Sequence, residues 1–249
     1  MKLRHTILYW IAPLALTLTA PAAVIFQDDF SGSGAGTLNG TAPDVAPGAE
    51  TWLAHTDWSD AGEKTTFGQR SAFLPFTPVQ LTNQRYYLRA TLNNDSSSSS
   101  DWFALGFYQG SDVDFTIWNG NDAVAWMLDR ENNDPIQTFL GPQTALGANH
   151  ASSIDGPVDF MILLDTRFTQ WSAEWYVNNQ LIRNSSNTFG TNPNITHIGF
   201  SAFQDATGSV DFFQFGRVDA ALPEPSTAIF SVFGFFLLRG LRAKQEEYC

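Results

Sequence analysis

The chain contains a single cysteine, Cys249, which is its last residue. One thiol cannot build an internal disulfide framework, so the stability of an exported form has to come from core burial. Positive charge is also scarce: 13 Lys and Arg stand against 25 Asp and Glu, a formal net charge of -12. Between residues 23 and 222, 8 basic side chains oppose 22 acidic ones. Such a surface repels phosphate backbones and argues against a nucleic-acid partner. It is compatible with divalent cations, with neutral glycans, or with solubility alone. Long apolar runs are missing too. Ile7–Leu18 and Ala228–Leu238 are both well short of the roughly 20 residues that span a bilayer as a helix. Aromatic residues, by contrast, make up 14% of the chain, with 21 Phe and 8 Trp, enough to fill the core of one large domain or two small ones.

The two ends read as addresses. Lys2 and Arg4 precede the apolar run Ile7–Leu18, and Ala20-Pro21-Ala22 follows it. That is the layout of a secretory signal peptide over 1–22, cut by signal peptidase after Ala22 or Ala23. At the other end stands Leu222-Pro223-Glu224-Pro225, then the apolar run Ala228–Leu238, then the basic residues Arg239, Arg242 and Lys244. Prolines on both sides of Glu224 deny the backbone a helix and hold it extended. The Phe-rich run suits a short transmembrane segment, and the basic cluster would stop translocation on the cytoplasmic side.

This three-part tail, residues 222–249, resembles the PEP-CTERM sorting signal of exported proteins in Gram-negative bacteria that make extracellular polysaccharide. The resemblance implies recognition of Pro223, Glu224 and Pro225 by an exosortase, a membrane cysteine protease. It also implies delivery to the cell surface, the outer membrane or the extracellular matrix, with membrane attachment through the C-terminal segment before processing. Two features depart from the pattern. Gly234 breaks the apolar run, and Gln245-Glu246-Glu247-Tyr248-Cys249 follows the basic cluster.

Between the ends, residues 23–221 have the punctuation of an all-β domain. Short segments of period two alternate with Gly, Pro, Asn, Asp and Ser. In Tyr86–Leu92, residues Tyr86, Leu88, Ala90 and Leu92 share one face, opposite Tyr87, Arg89 and Thr91. Phe103, Leu105 and Phe107 share a face within Trp102–Tyr108, and Val158, Phe160, Ile162 and Leu164 share one within Val158–Asp165. Trp171–Val177, Asn178-Asn179 and Gln180–Ile182 predict a tight hairpin, because Asn tolerates positive φ. Val24–Phe30 opens the domain, Ile198–Phe203 and Val210–Val218 close it, and pairing of the first and last strands would bring the termini together. The serine run in Asn93–Ser100 reads as a hairpin loop or an inserted tip. No stretch predicts a long amphipathic helix, and no internal repeat is visible.

The order of these elements resembles the concanavalin A-like jelly roll, laminin G-like modules included, over the whole domain. The resemblance rests on the opening strand, the strand ending in Asp165-Thr166, the Trp175–Asn179 hairpin and the closing strand. It implies two stacked antiparallel sheets, one bent into a concave face where glycans often bind.

Catalytic patterns are sparse. Glucanases of that fold carry Glu-x-Asp-x-(x)-Glu on one strand, where alternate carboxylates meet the spacing a retaining glycosidase needs. The domain's glutamates are Glu50, Glu63, Glu131 and Glu174, and the residues two places on are Trp52, Thr65, Asn133 and Tyr176. None is Asp, so that strand is absent. His55, His150 and His197 lack metal-ligand spacing, and there is no Gly-x-Ser-x-Gly elbow. Clustered Asx oxygens offer candidate calcium ligands, foremost Asp129, Asn132 and Asp134. Trp102 and Tyr108, Tyr87 and Arg89, and Trp118 beside Asn119–Asp122 are the candidate glycan contacts, as aromatic rings that can stack on pyranose faces. The expectation is a non-catalytic surface protein that binds extracellular polysaccharide. A structural or adhesive protein with a protein partner and a carbohydrate-active enzyme are the alternatives.

Overall fold

The computed structural model describes residues 22–64, 69–96, 100–117, 119, 121–130, 136–142, 144–146, 156–189 and 192–219, with backbone alone for 184–188. Every regular element among them is a strand, and no helix there is long and apolar enough to cross a membrane. The strands are β1 (Ala23–Asp28), β2 (Leu53–Ala54), β3 (Glu63–Lys64), β4 (Arg70–Pro75), β5 (Gln84–Asn94), β6 (Trp102–Tyr108) and β7 (Ala123–Arg130). They continue with β8 (Gln137–Leu140), β9 (Thr144–Ala145), β10 (Val158–Asp165), β11 (Trp171–Val177), β12 (Gln180–Phe189), β13 (His197–Phe203) and β14 (Gly208–Asp219).

They form two antiparallel sheets of seven strands each. The first runs β1-β14-β5-β10-β11-β12, with β3 added against β14. The second runs β2-β4-β13-β6-β7-β8-β9. The fold is thus the all-β jelly-roll sandwich that the strand pattern predicts. The opening and closing strands do pair, Ala23 opposite Arg217 and Asp28 opposite Phe213. Asn178 and Asn179 take φ of +48° and +63°, the left-handed pair that a two-residue hairpin between twisted strands requires. The serine run does not close a hairpin, and Ser97, Ser98 and Ser99 within it lie outside the described residues. It joins β5 of the first sheet to β6 of the second. Ser96 is buried there and donates through its hydroxyl to Asn94 Oδ1.

The core lies between the sheets and is built from the faces that period two selects: Tyr86, Leu88, Ala90 and Leu92 of β5, Phe103, Leu105 and Phe107 of β6, and Val158, Phe160, Ile162 and Leu164 of β10. Aromatic rings dominate it. Trp52 sits 5.3 Å from Phe200 and 5.0 Å from Phe213, centroid to centroid. Its indole N–H donates to Asp28 Oδ2 at 2.6 Å, which gives a buried ring its polar partner. Each such side chain contributes roughly 1.5–3 kcal/mol of burial, which is how a chain without disulfides holds this sandwich together.

Candidate functional site

β6 is buried along its whole length, so both of its faces are covered. One face meets the core. The other carries Trp102, Ala104 and Tyr108, and the described residues of the connection that follows it, 109–117, 119, 121 and 122, fold back over the outer face of the second sheet, with Val113 and Ile117 in the same apolar cluster. Gly106 makes this possible. A Cβ there would lie 2.5 Å from Trp126 Cβ and 2.9 Å from Ile117 Cδ1, so the missing side chain is the socket that Ile117 occupies.

Hydrogen bonds pin the connection in place. The Ser71 N–H donates to Val113 O at 3.1 Å and its hydroxyl to Phe115 O at 2.5 Å, while Ile117 N–H donates to Ser201 Oγ at 3.3 Å. Asn121, wholly buried, is the staple. Its carboxamide donates to Asp112 O (2.9 Å) and Thr116 O (3.1 Å) and accepts from Asp112 N–H (2.6 Å). His55 adds a further tie. Asp57 N–H donates to its Nδ1 at 3.0 Å, which leaves the ring proton on Nε2, 3.3 Å from Asp114 Oδ1.

Directly after the staple, Asp122 adopts φ +49°, a left-handed conformation uncommon outside glycine. Asp122 is exposed and lines a cleft of about 240 Å3 at one end of the sandwich. Four separate connections and strand ends build that cleft: Gln109 at the end of β6, Gly141 and Pro142 in the β8–β9 turn, Phe189 at the end of β12, and Pro193 before β13. The turn is fixed by Gly141 N–H donating to Val124 O at 2.7 Å and by Trp126 Nε1–H donating to Gly141 O at 3.0 Å. The carboxamide of Gln109 donates to Pro193 O. The cleft therefore combines one carboxylate and one carboxamide with a wall of proline and phenylalanine. Such a surface can accept and donate hydrogen bonds to hydroxyls on one side and pack against C–H faces on the other.

The residues singled out from the sequence are placed apart. Trp102, 3% exposed, stacks on Phe203 at 5.0 Å, and Tyr108 has no exposed surface. The Tyr108 hydroxyl has no hydrogen-bond partner among the described residues, and burial pushes its pKa well above the ordinary 10.0. Tyr87 and Arg89 lie on the outer face of the other sheet, on the opposite side of the sandwich. Arg89 is held there in a two-pronged pair with Asp159, both contacts 2.7 Å, and that pairing raises its pKa. Asp129 is buried near the end of β7 opposite Phe103. Trp118, Asn132 and Asp134 lie outside the described residues, as do Pro223, Glu224, Pro225, Arg239, Arg242 and Lys244.

A different group of carboxylates does converge: Asp28, Asp29 and Asp44 bring oxygens within 4.8 Å of one another. Each of the three already accepts a hydrogen bond, Asp29 from Ser31 N–H. Asp28 accepts from Phe30 N–H and the Trp52 indole, and Asp44 accepts from Asp29 N–H. Burial raises the Asp28 pKa above 3.8, against the lowering effect of those donors. Gln109, Phe189, Pro142 and Pro193 carry no signal in the sequence, since no spacing announces which of many loops meet at one rim.

No family model matches the chain, and no curated protein matches it. Among solved structures it is similar to the endo-1,3-beta-glucanase from Streptomyces sioyaensis, at 12% identity and TM-score 0.48, over 81% of this chain and 100% of that one. It is also similar to the lectin from Bauhinia forficata in complex with GalNAc, at 14% identity and TM-score 0.43, over 68% of this chain and 93% of that one. The Lotus tetragonolobus seed lectin is a third, at 10% identity and TM-score 0.42, over 70% of this chain and 94% of that one. At such identities the likeness concerns architecture alone.

Proposed function

We propose that this is an exported surface protein whose jelly-roll domain binds a neutral extracellular polysaccharide without cleaving it. The cleft of Gln109, Asp122, Gly141, Pro142, Phe189 and Pro193 carries the reading. Its volume of about 240 Å3 falls just below the roughly 300–1,000 Å3 of pockets for drug-sized ligands, which suits a sugar ring or a chain end rather than a large cofactor. The Asp122 carboxylate, on a domain with 22 acidic and 8 basic side chains, opposes uronic acids and sulfated chains and favours uncharged hydroxyls. Export and surface delivery rest on the ordered features of the two ends, with signal peptidase and an exosortase-like protease as processing partners.

The test is a glycan array probed with the mature protein and with Asp122→Asn. Asn accepts the left-handed backbone at least as well as Asp, so the fold is kept while the charge is removed. Loss of a charge-assisted hydrogen bond should weaken binding on the order of tenfold to a hundredfold. Equal binding by the two proteins would remove the cleft from the reading. Running the array with and without a chelator reads any calcium requirement, and release of reducing ends would turn the assignment to the enzyme alternative.

A further inference from the structure

The register of the first sheet places the start of β1 and the end of β14 at one end of the sandwich, with Asp219 opposite Gln84 and Ala23 opposite Arg217. The β10–β11 turn lies at the same end, because Leu164 pairs with Tyr86 two residues along β5. There the turn is tied to the β4–β5 connection. The Thr166 hydroxyl donates to Val79 O at 2.9 Å and accepts from Leu81 N–H at 3.2 Å, and the Gln80 carboxamide donates to Arg167 O at 3.2 Å. The tie brings together the two most exposed large apolar side chains among the described residues, Phe168 at 62% and Val79 at 55%.

We infer that this end is a lipid-contacting surface: while the tail is attached, Phe168 and Val79 rest at the headgroup boundary of the bilayer. The inference builds on the proposed reading of the tail as membrane-directed. Residues 220–227 separate Asp219 from the apolar run that starts at Ala228, and eight extended residues reach at most about 29 Å. The run Ala228–Leu238 extends only about 16 Å as a helix, roughly half of a 30 Å hydrocarbon core. A short anchor on a short tether draws the domain down to the interface, where exposed aromatic and aliphatic side chains bury about 5–10 Å deep.

Charge at this end is close to even: Arg85, Arg167 and Arg217 stand against Asp165, Glu174, Asp219 and the exposed Asp122 of the cleft, which the pairing of β4, β13, β6 and β7 places at the same end. Arg85 pairs with Glu174 at 3.1 Å, Arg167 with Asp165 at 2.6 Å, and the Arg167 guanidinium lies 5.4 Å from the Phe168 ring centre.

The experiment uses the full chain carrying Cys249→Ser, with a single cysteine introduced as Phe168→Cys or, at the far end of β5, as Asp95→Cys. Each is labelled with an environment-sensitive fluorophore and reconstituted into phosphatidylethanolamine–phosphatidylglycerol vesicles with or without doxyl-labelled lipid. The expected result is flotation of both proteins with the vesicles, and a blue shift with loss of emission to shallow doxyl lipid at position 168 alone. Flotation with equal, unquenched signals at 168 and 95 overturns the lipid contact and leaves the tail reading standing. A blue shift at 168 without doxyl quenching means that the tail or a second copy covers the patch, and also overturns it. A chain that does not float overturns both.

Discussion

Lys64 offers the most demanding test of the packing described above. Its side chain is completely buried at the end of the sandwich away from Ala23 and Asp219, and its ammonium donates to Ala206 O at 2.7 Å. Burial pushes its pKa down to about 8 from the ordinary 10.5, against the pull of Asp57, Asp205 and Asp101. A depression of that size corresponds to about 3 kcal/mol charged against the folded state at pH 7. In the unfolded chain Lys64 keeps its proton up to about 10.5, whereas the folded chain releases it near 8. Across that window the unfolded state binds more protons, so stability rises with pH. Lys64→Met removes the buried charge but leaves the Ala206 carbonyl without this donor, a loss of about 1–3 kcal/mol. The two effects nearly cancel at pH 7, and the informative quantity is the change with pH. Urea denaturation of both proteins at pH 7 and pH 11 should show the wild type gaining about 3 kcal/mol relative to Lys64→Met. Titration of the tyrosines is common to both proteins and drops out of the difference. A difference that stays constant, or moves the other way, would refute the reasoning that a buried ammonium is carried at a cost.

Asn121→Ala should cost about 2–4 kcal/mol, because it strands the buried partners of its carboxamide. It should also speed proteolysis within 110–117, checked by mass mapping of the first cuts. Gly106→Ala places a methyl in the socket of Ile117 and should lower stability by about 1–3 kcal/mol in thermal denaturation. Changing Pro223, Glu224 and Pro225 together to alanine should abolish processing in cells. A wild-type mature mass that still includes Cys249, or a mature mass that the substitution leaves unchanged, would count against the sorting reading.

The strands were legible because their faces differ in polarity at period two. Tyr86–Leu92, Val158–Asp165 and Trp171–Val177 announce both their state and their inward side. The Asn178-Asn179 turn was legible because few residues accept positive φ. What the sequence concealed was the outer face of the second sheet. Trp102 and Tyr108 do point away from Phe103, Leu105 and Phe107, yet Trp102 packs on Phe203 and Trp126, and Tyr108 on Phe73 and His197, in an outer apolar cluster that Ile117 and Val113 join. Nothing periodic distinguishes a loop that docks onto a sheet from one that extends into water. That docking depends on Gly106, Ser71, Asn121 and Ser201, which are distant in sequence and individually unremarkable. The cleft was hidden for the same reason, since its walls come from separate connections. Lys64 shows the opposite failure: composition suggests a solvated cation, and only the tertiary fold buries it.

The position of β14 has a mechanical meaning. This 12-residue strand is the last before the tail, yet it is an interior strand, flanked by β1 and by β5 from Gly208 opposite Asn94 to Asp219 opposite Gln84. A pull on the tail runs along the strand axis. It must slide β14 past both neighbours at once, loading the two ladders in parallel instead of unzipping one bond at a time. With β1 as the outer guard strand, a load applied at Asp219 is shared between two ladders.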